Sequence, residues 1–348
     1  MAKKDKLIVG LDIGSHAIKL CHLQKSGSGY ALLALGSTVI PAGAVEDGVL
    51  QEPEQVGESL AALFKNLKIK EKKVGISISG YSVIVKKIQL DPMSEEELDE
   101  YIKEEAEQYI PFDREDVYLD YQDLETSTED EDRTDVMLVA AKKEVVDGYL
   151  DLLLEHGLNP VLVDVDGFAL ENIWDVAGGV KDNIALVDIG ACKMNVNIIV
   201  DGVSVLARDI VGGSQQLTDQ IADHFGIESD EAEQIKLGIL PADDKREELE
   251  EIFVDACTNW VLEIKKAIDL FSANQADSSL KKLVLSGGGA KVPGLSSFLK
   301  RETGLDVVKF NPFVNMKVNG KKIDPKYVES IGPEMAIAAG LAIRTATF

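Results

Sequence analysis

The sequence predicts an α/β protein built from two duplicated halves that face a cleft, with a small α/β subdomain inserted in the first half. Three observations predict it. Residues 7–20, LIVGLDIGSHAIKL, are an apolar run ending at Asp12, a tight glycine turn and a return carrying Lys19; residues 184–200, IALVDIGACKMNVNIIV, repeat the order strand, Asp, Ile, Gly, small residue. A second echo follows each copy. KKVGISISGYSVI at 72–84 and KKLVLSGGGAKVPGL at 281–295 are each a basic pair, a strand and a small-residue turn. The order hairpin, helix, strand-turn thus occurs twice, and duplication is the simplest account. The third observation is a change of pattern over residues 83–166, which read β-α-β-β-α-β inside the first copy only. The predicted division is residues 1–82 as the first half, completed by about 166–182 and 330–348. Residues 83–165 form the insert, and 183–329 the second half with a helical part at about 214–280.

Each element has its local reason. Residues 6–12 read as a buried strand, 18–23 as its return and 30–40 as a third strand beyond the loop Gly27-Ser28-Gly29. Residues 53–66 place Val56, Leu60, Leu63, Phe64 and Leu67 near helical spacing. Strands at 74–79 and 83–90 follow. Ser94, with Glu97 three residues on, is a capping-box signature for a helix that Pro111 ends. Residues 117–124 alternate as a half-buried strand, and 125–134 are an acidic loop. A strand at 136–141, a helix at 143–156 stopped by Gly157, and a strand at 160–165 complete the insert. Helices are predicted at 166–176, 214–225 (stopped by Gly226), 229–237, 246–273, 294–303 and 333–344. Strands are predicted at 203–210 and 282–285, and a small hairpin around Asn319-Gly320.

At 348 residues the chain is too long for one ordinary core. Its 36 basic and 61 acidic residues give a net charge of −25. That argues against a nucleic-acid surface, which needs a basic stripe to displace counterions, and disfavours docking on anionic lipid. The three cysteines are far apart and form no C-x-x-C, which leaves a zinc site or a thioredoxin-type pair without sequence support and fits a reducing cytoplasm. No apolar run approaches the roughly 20 residues of a membrane span, and Asp12 interrupts the only signal-like start.

The chemistry sits at the turns. Asp12 and Asp188 end buried strands just before glycine turns whose backbone N–H groups can cradle phosphate oxygens. An Asp there repels a phosphate unless a cation lies between, and Mg²⁺ is commonly held by one or two carboxylates, water and phosphate. Lys19 supplies positive charge for a terminal phosphate. Gly212-Gly213 precede a helix, an anion-friendly terminus. Residues 286–290, Ser-Gly-Gly-Gly-Ala, offer a bare surface for a flat purine. Singly, a D-I-G is more often only a turn, a triple glycine only close packing, and Glu233 with Lys236 only a surface pair. The ordered set is what carries weight.

That set resembles the actin-like ATPase superfamily. VGLDIGSHAIKL is similar to its first phosphate motif, ALVDIGACKMNVNII to its second and LVLSGGGAKVPGL to its adenosine motif; residues 163–173 and 333–344 stand where its two connecting helices lie. Within it, the insert, VGGSQQLTDQIA, DEAEQIKLG and the ending PEMAIAAGLAIR resemble the FtsA/PilM branch, and more closely the type IV pilus PilM family. The resemblance implies actin-like (ribonuclease H-like) halves around a nucleotide cleft. ATP and Mg²⁺ would be the cofactors, with Asp12 and Asp188 on the metal. Gly14, Ser15, Lys19, Gly190 and Ala191 would surround the β- and γ-phosphates, and Gly212 and Gly213 would approach phosphate or ribose. Glu233 and Lys236 would contact ribose and base, with Gly287, Gly288 and Ala290 on the adenosine side. It implies a cytoplasmic adaptor without direct membrane insertion. The adaptor would bind the N-terminal cytoplasmic tail of a PilN-like inner-membrane protein in a groove between the insert and the main sheet, near residues 83–90. A pilus motor ATPase and a second copy of the chain are further partners within its scope.

Two departures matter. The small hydroxyl residue common after the second D-I-G is replaced by Cys192, Lys193, Met194 and Asn195. No general base for an attacking water stands out, so hydrolysis is expected to be slow or absent, with ATP a conformational ligand. The rival expectations are an FtsA-like filament former, a type II secretion homologue of the same adaptor, and a sugar or acetate kinase. The kinase would require an Asp base between the halves.

Overall fold

The computed structural model describes residues 7–124, 133–178, 182–274 and 279–345. Most of the acidic loop at 125–134 lies outside them. The first half opens with β1 (Val9–Ile13), β2 (Ala17–Ser26) and β3 (Gly29–Val39), antiparallel neighbours in register Asp12 to Lys19 and Lys19 to Ser37. A two-stranded ribbon, β4 (Val45–Glu46) and β5 (Val49–Leu50), leads to α1 (Pro53–Leu67). Pro53 pre-sets the first helical turn and Lys68 closes the last in a left-handed conformation. β6 (Lys73–Ile78) then runs parallel to β1.

The insert comprises β7 (Val83–Leu90), α2 (Glu95–Glu105), β8 (Val117–Asp123) and β9 (Thr134–Lys142), with sheet order β7-β9-β8. The capping box is formed: the Glu97 amide donates to Ser94 Oγ at 3.3 Å and the Ser94 amide to Glu97 Oε2 at 2.8 Å. The α-helix stops at Glu105, and a 3₁₀ turn carries the chain toward Pro111. Ile88, Leu98, Ile102, Val136 and Leu138 give this unit its own core.

The structure departs from the sequence reading after β9. α3 (Lys143–Glu155) buries Val145, Val146, Tyr149, Leu152 and Leu153 in the core of the first sheet, and β10 (Asn159–Val165) pairs parallel with β6. Both elements therefore pack with the first half. The reason is visible in the duplication itself. After α4 (Asp166–Val176) come β11 (Ile184–Ile189), β12 (Lys193–Val200) and β13 (Val203–Val211). α5 (Gln215–Phe225), α6 (Ser229–Lys236) and α7 (Arg246–Asn274) follow, then β14 (Lys282–Ser286), α8 (Leu295–Thr303) and β15 (Asp306–Lys309). The second sheet has order β15-β14-β11-β12-β13, and the first contains β10-β6-β1-β2-β3, with the same parallel and antiparallel pairings. β10 is thus the counterpart of β15. Even the register shift recurs at matching positions, between His22 and Leu23 on β2 and between Ile198 and Ile199 on β12.

β16 (Lys317–Val318) adds to the first sheet, parallel to β3, where a hairpin at Asn319-Gly320 was expected. α9 (Pro325–Ile331) and a 3₁₀ turn at 332–335 precede α10 (Ala336–Ala342), so the expected single helix at 333–344 is split. α4 and α10 cross at very short range. A Cβ on Gly340 would lie 1.9 Å from the Ala169 carbonyl oxygen, and one on Gly10 2.0 Å from that of Ala338. Leu170, Ile173, Ala336, Ala338 and Ala339 form a core with Leu186 and Val284 of the second sheet, which joins the two halves.

Candidate functional site

The β1–β2 and β11–β12 turns meet at one cavity of ≈ 440 Å³. Asp12, Gly14, Ser15, Lys19, Asp188, Gly190 and Ala191 lie in its wall. The two turns are closed alike: Gly14 N–H donates to the Ala17 carbonyl at 3.1 Å and Gly190 N–H to that of Lys193 at 2.9 Å. Asp12 is 7% exposed, and Lys19 Nζ stands 3.1 Å from its Oδ2. Burial pushes the Asp12 carboxyl above its usual range, with Lys19 opposing. The matching position in the second half is Asn195, not a lysine. Asp188 instead accepts from Ser286 Oγ at 2.8 Å. Burial lifts Asp188 to about 6, with Ser286 working against the rise and the nearby Asp12 charge adding to it.

Burial raises both carboxyls, and the Asp12 charge adds to the rise at Asp188, so the pair forms a site that gains from a cation. Among the described residues no group of three or more His, Cys, Asp or Glu could hold a metal. Two carboxylates fit Mg²⁺, which completes its shell with water and phosphate oxygens. The donor set therefore suits a metal that arrives with a phosphate ligand.

The other predicted residues stand behind or beside this wall. Gly212 N–H donates to the Cys192 carbonyl, Ser214 N–H to that of Gly190 and Gln215 N–H to that of Ala191, each at 2.9 Å. A Cβ on Gly213 would lie 2.5 Å from the Ala191 carbonyl oxygen. Gly212 and Gly213 therefore buttress the second turn. Gly287 (φ +83°) leaves no room for a side chain, its Cβ meeting Ile189 O at 2.4 Å, whereas a Cβ on Gly288 would meet nothing within 4 Å. Ala290 is fully buried in the second half's core, so its methyl supports the turn. Glu233 and Lys236 pair at 2.5 Å, Glu233 accepting also from Thr218 Oγ1 and Lys236 donating to the Ser214 carbonyl. Burial raises Glu233, but Lys236 outweighs it and keeps the carboxyl low. His16, at the tip of the first turn, feels both charges, and burial holds its imidazole below the usual value.

Sequence reasoning missed three groups. Asp166, the first residue of α4, is ion-paired with Lys193 at 2.6 Å, and Lys193 holds its carboxyl low against the effect of burial. Lys291 pairs with Glu334 at 2.5 Å, tying the glycine turn to the segment before α10. Asp209 on β13 accepts from Asn195 Nδ2 at 2.9 Å and from Gly80 N–H at 2.8 Å. An acidic residue opening a helix was the single local signal, at Asp166.

The cavity does not stop at the turns. It continues past Ser79–Tyr81 to Val83, Ile84 and Val85 on β7, an edge strand of the insert's sheet, with Phe112 and Tyr149 alongside and Ala207–Val211 of β13 opposite. The cavity thus combines the charged, glycine-containing turns with apolar side chains of β7, Phe112 and Tyr149 beside the edge of the insert's sheet.

The family model for type IV pilus assembly protein PilM matches residues 10–346. Among solved structures, the chain is similar to one from a PilM-PilN type IV pilus biogenesis complex. The TM-score is 0.86 and the identity 28%, over 99% of this chain and 100% of that one. It is similar in fold to the ethanolamine utilization protein EutJ from Carboxydothermus hydrogenoformans. There the TM-score is 0.57 and the identity 18%, covering 97% of this chain and 89% of that one. MreB5 of Spiroplasma citri bound to ADP gives a TM-score of 0.54 at 12% identity, covering 97% and 95%. The fold is thus actin-like, as the motif order implies. No helix among the described residues is long and apolar enough to cross a membrane.

Proposed function

The chain belongs to the type IV pilus assembly protein PilM family, and from that premise we propose that it is an ATP-binding adaptor of the pilus inner-membrane machinery. In this reading it holds Mg-ATP between the halves and the cytoplasmic tail of a PilN-like membrane protein in the adjoining groove. One observation carries the reading. Asp12 and Asp188 face a single cavity that runs on to the edge strand β7. An extended apolar segment can add to such an edge by strand pairing while its side chains enter apolar pockets.

The roles in this reading are as follows. Mg²⁺, when bound, neutralises the phosphate charge that Asp12 and Asp188 would otherwise repel. Lys19 is held charged, since its contact with Asp12 outweighs the effect of burial, and it offers that charge to a terminal phosphate. Gly14, Ser15, Gly190 and Ala191 present backbone to phosphate oxygens. Gly288 gives a flat base an unobstructed surface, and the Glu233–Lys236 pair stands beside His16 for ribose and base. Asp166 is the remaining buried carboxylate of the wall, but Lys193 keeps it occupied. A carboxylate so paired is a weak proton acceptor, which favours slow or absent hydrolysis and nucleotide as a conformational ligand.

Isothermal titration with Mg-ATP tests the binding step. Wild-type chain should bind, and Asp188→Ala should lose at least about tenfold in affinity, a change of about 1.4 kcal/mol. No detectable binding by the wild type would sink the reading. Capture of the membrane protein's tail, with and without ATP, tests the adaptor step.

A further inference from the structure

We propose that Asp209 is the positioning residue through which the nucleotide half sets the shape of the peptide groove; the proposal rests on the adaptor reading above. Four residues lie in one row across neighbouring strands of the second sheet. Ser286 on β14 is in register with Asp188 on β11, Asp188 with Asn195 on β12, and Asn195 with Asp209 on β13. At the spacing of adjacent strands the row spans roughly 15 Å. It runs from Ser286 through Asp188, one of the two carboxylates proposed to face the metal, and ends on the edge strand β13, which also lines the cavity.

Side chains join the row at its two ends, and strand register alone links Asp188 to Asn195 in the middle. Ser286 Oγ donates to Asp188 at 2.8 Å, and Asn195 Nδ2 donates to Asp209 Oδ1 at 2.9 Å. The second oxygen of Asp209 then leaves the sheet. It accepts from the Gly80 amide at 2.8 Å, on the loop between β6 and β7 in the first half. That loop has little freedom on its other side. Gly80 has φ +86° and a Cβ there would lie 2.8 Å from the Asp47 carbonyl oxygen, while one on Gly48 would lie 2.5 Å from that of Ser79. Val83 N–H donates to the Gly80 carbonyl at 3.1 Å, and Lys142 N–H to the Ser82 carbonyl at 2.9 Å, so the loop leads rigidly into β7. A shift of the second sheet is therefore handed to the start of the strand that a tail segment would pair with.

The chemistry suits a coupling contact. Asp209 and Gly80 line the cavity, and their hydrogen bond is open to solvent. A peptide in the groove would exclude water there and strengthen the bond. The Asp209 charge in turn helps to hold Lys193, which is paired with Asp166 in the cleft, protonated. Asn195 Oδ1 has no partner among the described residues, so its amide can turn over to meet a donor at position 209.

The test measures the tail's dissociation constant with and without Mg-ATP, together with hydrogen exchange at the Gly80 amide in the ligand-free chain. In the wild type the two constants should differ by about fivefold or more, the usual range of coupling between sites. In Asp209→Ala the ratio should fall to about one, and the Gly80 amide should exchange at least about tenfold faster. Asp209→Asn should keep the ratio, because its Oδ1 still accepts from Gly80 while Asn195 turns to accept from its Nδ2. A ratio unchanged in Asp209→Ala overturns the proposal alone, as does a wild-type ratio of one. Absence of any tail binding by the wild type defeats the adaptor reading and this proposal with it. Thermal melting of each variant separates loss of coupling from loss of fold.

Discussion

At Asp188 the molecule accepts instability for function. Its carboxyl is lifted from 3.8 to about 6, first by burial. A raised acid binds its proton more tightly when folded, so its contribution is most favourable below pH 3.8 and is lost as pH rises through about 6. At neutral pH the ionised group costs about 3 kcal/mol, the rise from 3.8 to about 6 at 1.36 kcal/mol per unit. Asp188→Asn removes that cost and keeps the Ser286 bond. We expect it to raise the midpoint of urea unfolding at pH 7 while abolishing Mg-nucleotide binding. A variant no more stable than the wild type would disprove the burial cost. Metal needs the ionised form, so Mg-nucleotide affinity of the wild type should also weaken as pH falls below about 6. The carboxylate was legible in the sequence because an Asp at the end of a buried strand, before a glycine, has few structural uses. The Asp166–Lys193 pair was not, since nothing local marks which lysine will reach which carboxylate.

Among the elements, glycines divide into those that let chains cross and those that leave space. Gly340 lets α10 approach α4, with a Cβ 1.9 Å from the Ala169 carbonyl oxygen, whereas Gly288 has open space where a Cβ would be. Gly340→Ala should cost about 2–3 kcal/mol in urea unfolding, because backbone on both helices must shift. Gly288→Ala should change stability by less than about 0.5 kcal/mol yet weaken ATP binding several-fold. Equal ATP affinity in wild type and Gly288→Ala would remove that turn from the adenosine side. Helix α2 was readable from its capping box, a purely local device. The placement of α3 and β10 was not, because a helix followed by an apolar strand reads the same whichever sheet it joins. The partner that decides, β6, precedes β10 by a whole insert, and only the pairing itself reveals it.

Across the whole molecule, duplication explains both what is shared and what is not. The two sheets repeat strand order and even a register shift, yet the row opposite the metal-facing Asp carries Lys19 in one half and Asn195 in the other. In the reading proposed above, one half offers charge to a phosphate while the other relays position. If nucleotide draws the halves together, small-angle scattering should show a smaller radius of gyration with Mg-ATP in the wild type and no change in Asp188→Ala. Identical curves with and without nucleotide would argue for a rigid cleft. The close crossing of Gly10 by Ala338 has a further consequence, for the order in which the protein is made. β1 is synthesised first but cannot complete its packing until α10, more than three hundred residues later, has left the ribosome. The second half, whose strands and helices are nearly contiguous in the chain, can fold while synthesis continues. The first half then completes its packing last, once α10 is available to cover β1.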